Sequence, residues 1–170
     1  MACVRQADAD ADRPTIKALF QEHLAWAFEG IQANYGFRSP LTLDEKVGQD
    51  MASLLDAFLP PSGRLLLAFE ESRPAGIGCL RRIGENTGEI KRMFVRPEFR
   101  GRGIGRALLE ALVSEARAMG YCAVRLDSAG FMEAAHSLYR SAGFYEIGPY
   151  EESEIPLEFR HEWRFMEKQL

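Results

Sequence analysis

The sequence predicts an α/β domain whose mixed, mostly antiparallel central sheet has six to seven strands and is flanked by about four helices. Short apolar segments separated by turn residues fill positions 63–95, whereas apolar residues recur every three or four positions on both sides of this region. A strand, a glycine-rich turn, a helix and another strand then follow one another over residues 89–126. This succession predicts a parallel strand pair with a right-handed crossover.

Composition is typical of a globular protein of one domain, residues 1–170, with 46% hydrophobic and 27% charged residues. The net charge of −4 gives no overall attraction to nucleic acid or to an anionic membrane, so neither is expected as a partner. Cys3, Cys79 and Cys122 are odd in number and lack metal-site spacing. We therefore expect free thiols, no metal and, because no signal peptide or membrane-spanning segment is recognisable, a cytoplasmic location.

The first third of the chain predicts one strand and two helices. A short strand at residues 4–7 precedes a helix that begins near Pro14. Residues 29–40 contain Gly30, Gly36 and Pro40 and predict a loop, and residues 42–58 predict a second helix. The apolar positions expected to be buried on this second helix are Leu43, Val47, Met51, Leu54, Leu55 and Phe58.

The middle of the chain predicts three successive strands at residues 64–70, 75–83 and 89–95. In the third strand, simple alternation places Ile90, Arg92 and Phe94 on one face. The same alternation places four residues on the opposite face: Glu89, Lys91, Met93 and Val95.

The last third predicts a helix from Ile104 to about residue 119, a strand at 121–126, a helix at 133–141 and strands at 143–147 and 161–169. Gly120 suits the position after a helix end. Residues 148–158 form a loop rich in glutamate.

The turn between the third strand and its helix predicts a site for a phosphate-bearing ligand. Three glycines at alternate positions, 101, 103 and 105, allow the backbone to approach a ligand closely. The helix that follows presents free N–H groups and the positive end of its dipole. Because the protein is acidic overall, the arginines at positions 100, 102 and 106 indicate a small anionic ligand.

Two common phosphate motifs do not match this turn. A dinucleotide site requires a third glycine one position later than Gly105, and it normally follows the first strand of its sheet. A nucleoside triphosphate loop ends in Gly-Lys followed by Ser or Thr, which Arg106-Ala107 does not provide.

The spacing Arg100-x-x-Gly103-x-Gly105, after a strand ending at Val95, resembles the acetyl-coenzyme A signature of the GNAT family of N-acetyltransferases. Residues 138–144, Leu-Tyr-Arg-Ser-Ala-Gly-Phe, are similar to a second segment of that family. The resemblance extends over residues 63–150. It implies a GNAT-like fold and an acetyltransferase that uses acetyl-coenzyme A as co-substrate.

The resemblance also implies a set of coenzyme-binding residues. The turn would bind the diphosphate through its N–H groups, and the backbone of the preceding strand would bind the extended pantetheine arm and polarise the thioester carbonyl. These residues are Met93, Val95, Arg100, Gly101, Arg102, Gly103, Ile104, Gly105 and Arg106.

By the same resemblance, two residues are candidates for proton transfer. Glu89 corresponds to a general base that acts directly or through water, although a solvated glutamate or one paired with Lys91 or Arg92 is an equal alternative. Tyr139 corresponds to the general acid that protonates the leaving thiolate, and packing against Phe144 is its alternative role.

Several neighbouring residues carry weaker expectations. Many family members have an asparagine seven residues before the tyrosine, where this chain has Met132, so a coenzyme contact there would be apolar or absent. His136 is expected to be exposed or to cap its helix, and a second base is its alternative role. Asp127 and Ser128 can border the acceptor site or form a turn.

The resemblance places acceptor recognition in residues 30–40 and 148–158. Glutamates 151, 152, 154 and 158 would attract a cationic amine, whereas the aromatic residues of the first segment suit a small hydrophobic amine or amino acid. The expected partner is a small-molecule or peptide amine, with a homodimer as a further possibility. A different class, a non-catalytic acyl-coenzyme A sensor, remains as the alternative.

Overall fold

The computed structural model describes residues 2–170, without the side chains of Leu54 and Leu55. Seven strands form one sheet in the order β1-β2-β3-β4-β5-β7-β6. Only the β4–β5 pair is parallel among the described pairings, which confirms the predicted mixed and mostly antiparallel sheet. The strands are β1 Cys3–Gln6, β2 Gly63–Glu70, β3 Arg73–Arg82, β4 Thr87–Val95, β5 Ala123–Ala129, β6 Tyr145–Ile147 and β7 Trp163–Gln169.

Four α-helices lie against the two faces of this sheet: α1 Arg13–Tyr35, α2 Leu43–Ala52, α3 Ile104–Ala118 and α4 Glu133–Ser141. On one face, α3 buries Leu108, Leu109 and Leu112 in a core that also includes Tyr139 of α4. On the other face, α1 and α2 bury Ile16, Phe20 and Val47, among others. Each helix is amphipathic because one side packs against the sheet and the other meets solvent.

The prediction of a loop from residue 29 is wrong, because α1 continues to Tyr35 and ends at Gly36, whose φ of +65° is left-handed. Gly30 lies inside the helix, and no side chain fits at this position because Phe131 occupies the space beside it: a Cβ on Gly30 would overlap Phe131 Cζ. The glycine therefore marks a close contact between distant segments and does not end the helix.

The second helix is shorter than predicted. Thr42 caps α2 through a capping box with Glu45, and regular helix ends at Ala52. A π-helical turn, Leu54–Phe58, follows. The predicted burial of Leu54 and Leu55 lies outside the described part of the chain.

Strands β4 and β5 separate soon after they meet, and this separation creates the cleft of the molecule. Their parallel pairing covers three residue pairs and ends at Glu89 and Arg125. Both strands continue beyond that point, β4 to Val95 and β5 to Ala129. The strand that precedes the glycine turn is therefore splayed from its neighbour, and its backbone groups on that side are open to a ligand.

A bulge in β4 changes which side chains share a face. The β3–β4 register shifts between the Ile77 and Cys79 pairings, and Arg92 has a φ of +55°. As a result, Ile90 packs in the core on the α3 face, whereas Phe94 packs in the core on the α1 face. The alternation that placed Ile90, Arg92 and Phe94 together is therefore wrong, because a bulge adds one residue to one strand of the pair.

Candidate active site

A cavity of about 510 Å³ opens at the glycine turn, on the side of β4 that faces α4. We call it the glycine-turn cavity. Gly101 and Gly103 have φ values of +76° and +81°, and a Cβ on either would meet nothing within 4 Å. The turn thus leaves open space beside an uncovered backbone, and the first N–H groups of α3 follow directly. This arrangement fits a diphosphate, which accepts hydrogen bonds from such donors.

Most of the predicted coenzyme-binding residues line the glycine-turn cavity. They are Met93, Val95, Arg100, Gly101, Gly103, Ile104, Gly105 and Arg106. Arg102 is the exception, because its Nη1 atom donates to Glu70 Oε2 at 2.8 Å. Its side chain is therefore held by β2 and takes no part in the cavity wall, although its backbone still belongs to the turn.

The other two arginines of the turn are also held by specific contacts. Arg100 Nε donates to the carbonyl of Val95 at 3.0 Å, and its guanidinium lies 5.3 Å from the ring centre of Trp26. Arg106 Nη2 donates to Ser141 Oγ at 2.7 Å. Both guanidinium groups keep further N–H donors for an anionic ligand, because each has five.

A second cavity, of about 520 Å³, lies between α1, β4 and β5 and is lined by an earlier part of β4, residues 90–93. We call it the α1–β4 cavity. The two segments expected to recognise the acceptor both contribute to its wall, residues 30–40 through Ile31 and Phe37 and residues 148–158 through Glu154 and Ile155. Its size suits a small-molecule ligand.

The two cavities meet at three shared residues, Met93, Met132 and Tyr139. Tyr139 is 6% exposed, and its ring centre lies 6.0 Å from that of Phe144. Burial, and to a smaller extent the charge of Asp127, raise the pKa of its phenol well above the usual value. The phenol of Tyr139 is therefore protonated at neutral pH, and it lies where the two cavities meet.

Glu89 lies away from both cavities. Its carboxylate is fully buried and accepts hydrogen bonds from Arg81 Nε at 2.6 Å and from the Tyr150 hydroxyl at 2.8 Å. Lys91 Nζ lies 3.8 Å from the same carboxylate and does line the α1–β4 cavity. Any contact between Glu89 and a ligand in that cavity must therefore pass through another group, such as Lys91 or a water molecule.

Asp127 and Ser128 both lie on the wall of the α1–β4 cavity. Ser153 donates to Asp127 Oδ2 at 2.9 Å, and Ser128 Oγ lies 3.2 Å from His136 Nε2. His136 is only 4% exposed, so the expectation of an exposed or capping histidine is wrong. Burial and the nearby positive charges of Arg140 and Arg164 lower its pKa, so the imidazole is neutral at physiological pH.

Several residues of the site carry no local sequence signal. Trp26 and Phe131 line the glycine-turn cavity, and His23 lines the α1–β4 cavity. Burial, together with the neighbouring charge of Arg92, lowers the pKa of His23 to about 3. The one hint in the sequence is that His23 lies between the buried residues Leu19, Phe20 and Leu24 on the apolar face of α1.

Within residues 2–170, no group of three or more metal-ligating side chains is found. In the same part of the chain, every helix is too short or too polar to cross a bilayer.

Comparison with known proteins supports the family suggested by the glycine turn. The profile of the acetyltransferase (GNAT) family matches residues 18–144. An IAA acetyltransferase from Azospirillum brasilense is 39% identical over 97 residues, which are 56% of this chain and 63% of that protein. An N-acetylaspartate synthetase from Danio rerio is 34% identical over 116 residues, 67% of this chain and 41% of that protein. The matched region is thus less than two thirds of either relative.

Solved structures share the fold over nearly the whole chain. An acetyltransferase from Streptococcus agalactiae 2603 superposes with a TM-score of 0.76 at 22% identity, covering 99% of this chain and 98% of that one. The protein yncA from Salmonella typhimurium, solved with its cofactor acetyl-CoA, gives a TM-score of 0.68 at 21% identity, covering 100% of this chain and 94% of that one. Together with the family match over residues 18–144, the splayed strands and the glycine turn, these findings show that the chain belongs to the acetyltransferase (GNAT) family.

Proposed function

We propose that this protein is an N-acetyltransferase that moves the acetyl group of acetyl-coenzyme A directly to the primary amine of a small molecule or peptide. The observation that carries the proposal is the meeting of two cavities along the splayed β4, at Met93, Met132 and Tyr139. A donor in one cavity and an amine in the other come into contact there without a covalent enzyme intermediate. Bound acetyl-coenzyme A supplies the thioester carbonyl that the amine attacks.

The glycine-turn cavity is the proposed coenzyme site. Backbone N–H groups at the start of α3, with Arg100 and Arg106, would bind the diphosphate. The backbone of Met93 and Val95 would bind the pantetheine arm in the manner of an added strand. The Val95 carbonyl already accepts one hydrogen bond from Arg100 and can accept a second.

Tyr139 is the proposed general acid. Its phenol lies at the junction of the cavities and is protonated at neutral pH, so it can donate to a leaving sulfur. The raised pKa also weakens it as an acid, and proton transfer should therefore accompany the build-up of negative charge on sulfur.

Glu89 is retained as the candidate base, acting through Lys91 or water. Its burial and its bonds to Arg81 and Tyr150 keep the carboxylate in one place behind the cavity wall. The 3.8 Å approach of Lys91 Nζ, which itself lies 4.0 Å from Asp127 Oδ2, links this position to the α1–β4 cavity.

Acetylation by the Glu89→Gln variant is expected to fall about a hundredfold, the usual scale of one general base. The loss should be largest at low pH, because there the amine is most fully protonated and depends most on a base. A pH profile of kcat/KM from about pH 6 to 9 measures this. Tyr150→Phe is the matched control, since it removes one hydrogen bond to the same carboxylate and leaves its charge intact.

An unaltered pH profile for Glu89→Gln would contradict the role of Glu89. Asp127 and Ser128, which lie on the cavity wall, and His136, which contacts Ser128, would then be the next residues to replace.

The proposal itself is tested by measuring thiol release from acetyl-coenzyme A with a panel of primary amines, and by mass spectrometry of the products. Tight coenzyme binding without acetylation of any amine would contradict it and favour the acyl-coenzyme A sensor.

A further inference from the structure

At the wall of the α1–β4 cavity, one carboxylate accepts hydrogen bonds from two cationic side chains. Asp50 of α2 is 4% exposed. It accepts hydrogen bonds from Arg92 Nε at 2.6 Å and Nη2 at 3.0 Å, and from Lys46 Nζ at 2.9 Å. Both cations line the cavity, whereas Asp50 lies behind them. This Lys46–Asp50–Arg92 cluster therefore presents excess positive charge to a ligand.

The charges of the ionisable groups around the cavity sum to zero, but positive and negative charges are distributed unevenly over its wall. The ionisable groups that surround the cavity pair as follows: Arg81 with Glu89 at 2.6 Å, and Lys91 with Glu154 at 3.1 Å and with Asp127 at 4.0 Å. Glu154 also lies 3.3 Å from Arg81 and 3.7 Å from Arg92. Four cations thus accompany four carboxylates. The positive excess lies on α2 and the bulge of β4, whereas the carboxylate of Asp127 lies on β5.

The glutamates of residues 148–158 do not make this cavity acidic. Of the four, only Glu154 lies on its wall. Partial burial raises the pKa of Glu154, but the charges of Lys91, Arg92 and Arg81 outweigh this and lower it to about 2. Glu154 is therefore a fixed anion that is already paired, and a polyamine would find no unpaired carboxylate there.

Unused hydrogen-bond donors remain on the two cations of the cluster. Asp50 engages two of the five N–H donors of Arg92 and one of the three of Lys46. Anions are the natural partners of the remaining donors, and a carboxylate matches the planar guanidinium best. A carboxylate on the ligand would also balance the positive excess of the cluster.

The backbone supports a functional role for Arg92. Its φ of +55° is unfavourable for a residue with a side chain, and it occurs in the β-bulge opposite Gly78. Such strain persists only where surrounding contacts enforce it, and it concentrates at functional sites. Because of the bulge, Arg92 directs its side chain toward Asp50 and lies next to Met93, which borders both cavities.

The remainder of the cavity wall is largely apolar. Phe28 and Ile31 of α1 face it, as do Phe37 and Phe159, whose ring centres lie 4.2 Å apart. Apolar groups of a ligand are stabilised by burial against such side chains.

We infer that the acceptor is a free amino acid with an apolar side chain, whose carboxylate binds Arg92 and Lys46 and whose amine reaches the junction at Met93 and Tyr139. The inference rests on the proposed acetyl transfer and specifies its acceptor. It explains why the charges around the cavity sum to zero and yet are separated, because a zwitterion has no net charge but carries one positive and one negative group.

The first test compares amino acids with their decarboxylated amines in the acetylation assay: phenylalanine with 2-phenylethylamine, leucine with 3-methylbutylamine. Loss of a hydrogen-bonded carboxylate is expected to lower kcat/KM about 10- to 100-fold. Phenylalaninamide, which keeps the size but not the charge, should resemble the amine. Equal rates for acid and amine would overturn the inference while leaving acetyl transfer intact.

The second test alters the cations. Lys46→Gln is expected to raise KM for phenylalanine about tenfold and to leave KM for 2-phenylethylamine unchanged. Lys17→Gln, on an exposed position of α1, is the matched control. Arg92→Gln alone would leave Asp50 buried without its main partner, so it is combined with Asp50→Asn. This double variant should lose the preference for the acid, and retention of the full preference would overturn the inference.

A binding measurement separates this inference from the proposed function. In the presence of coenzyme A, phenylalanine should raise the melting temperature of the wild type more than 2-phenylethylamine does, and Lys46→Gln should abolish the difference. No difference in the wild type would count against the carboxylate site, whatever the catalytic result. Failure to acetylate any compound, with the binding difference present, would contradict acetyl transfer and retain the site.

Discussion

Gly103→Glu is expected to abolish coenzyme A binding. Gly103 immediately precedes α3, and a side chain there would project into open space beside the turn. A carboxylate in that position would occupy the diphosphate site and repel its charge. Loss of two hydrogen bonds to a charged group, each worth about 1.5–3 kcal/mol, corresponds to binding that is at least about a hundredfold weaker. Isothermal titration calorimetry with coenzyme A measures the change.

Two control variants separate the ligand contact from backbone strain. Gly103 has a φ of +81°, which disfavours any side chain. Gly103→Ala introduces the same strain without the charge and should weaken binding far less. Gly120→Glu places the same residue at the same φ of +81°, beyond the other end of α3. It should lower stability similarly and leave coenzyme binding unchanged. Normal binding by Gly103→Glu would mean that the diphosphate site is misplaced.

Features set by a few neighbouring residues could be predicted from the sequence. The glycine turn is one, because alternate glycines between a strand and a helix leave little choice of backbone path. The helix predicted at residues 133–141 agrees with α4, Glu133–Ser141. The parallel β4–β5 pair follows from the succession of strand, helix and strand, and it was also predicted correctly.

Features set by contacts between distant segments could not be predicted. Gly30 looked like a helix breaker, but it accommodates Phe131, about one hundred positions away. Arg102 looked like a phosphate ligand equal to its neighbours, but Glu70 of β2 holds its side chain elsewhere. In both cases the sequence showed the properties of the residue itself, whereas the residue that it contacts became known only from the structure.

The same distinction between local patterns and distant contacts applies within the candidate site. The glycine turn is a local motif and was identified from its spacing, whereas the α1–β4 cavity takes its charges from α2, β4, β5 and the segment around Glu154. The bulge at Arg92 has no signature in its own strand, because it depends on the register with β3. Glu89 was predicted at a catalytic position, yet the carboxylate points to Arg81 and Tyr150, which no local pattern indicates.

Tyr139→Phe is expected to lower kcat about a hundredfold while coenzyme affinity changes less than about twofold. General acid catalysis contributes a factor of this order, and the phenyl ring retains the packing against Phe144. Because the phenol is protonated throughout the working pH range, the loss should be nearly independent of pH, unlike that of Glu89→Gln. Steady-state kinetics and coenzyme titration of the same preparation measure both quantities.

Tyr121→Phe is the matched control for this change. Tyr121 is buried in the same core on the α3 face, and its hydroxyl has no hydrogen-bond partner in the described part of the chain. Its removal should leave kcat unchanged and should not lower the melting temperature, because an unpaired buried hydroxyl is itself unfavourable. If Tyr139→Phe instead lost coenzyme affinity with kcat intact, Tyr139 would be a binding residue. If it lost only thermal stability, the tyrosine would serve the core alone, and proton delivery to the leaving thiolate would have to come from solvent.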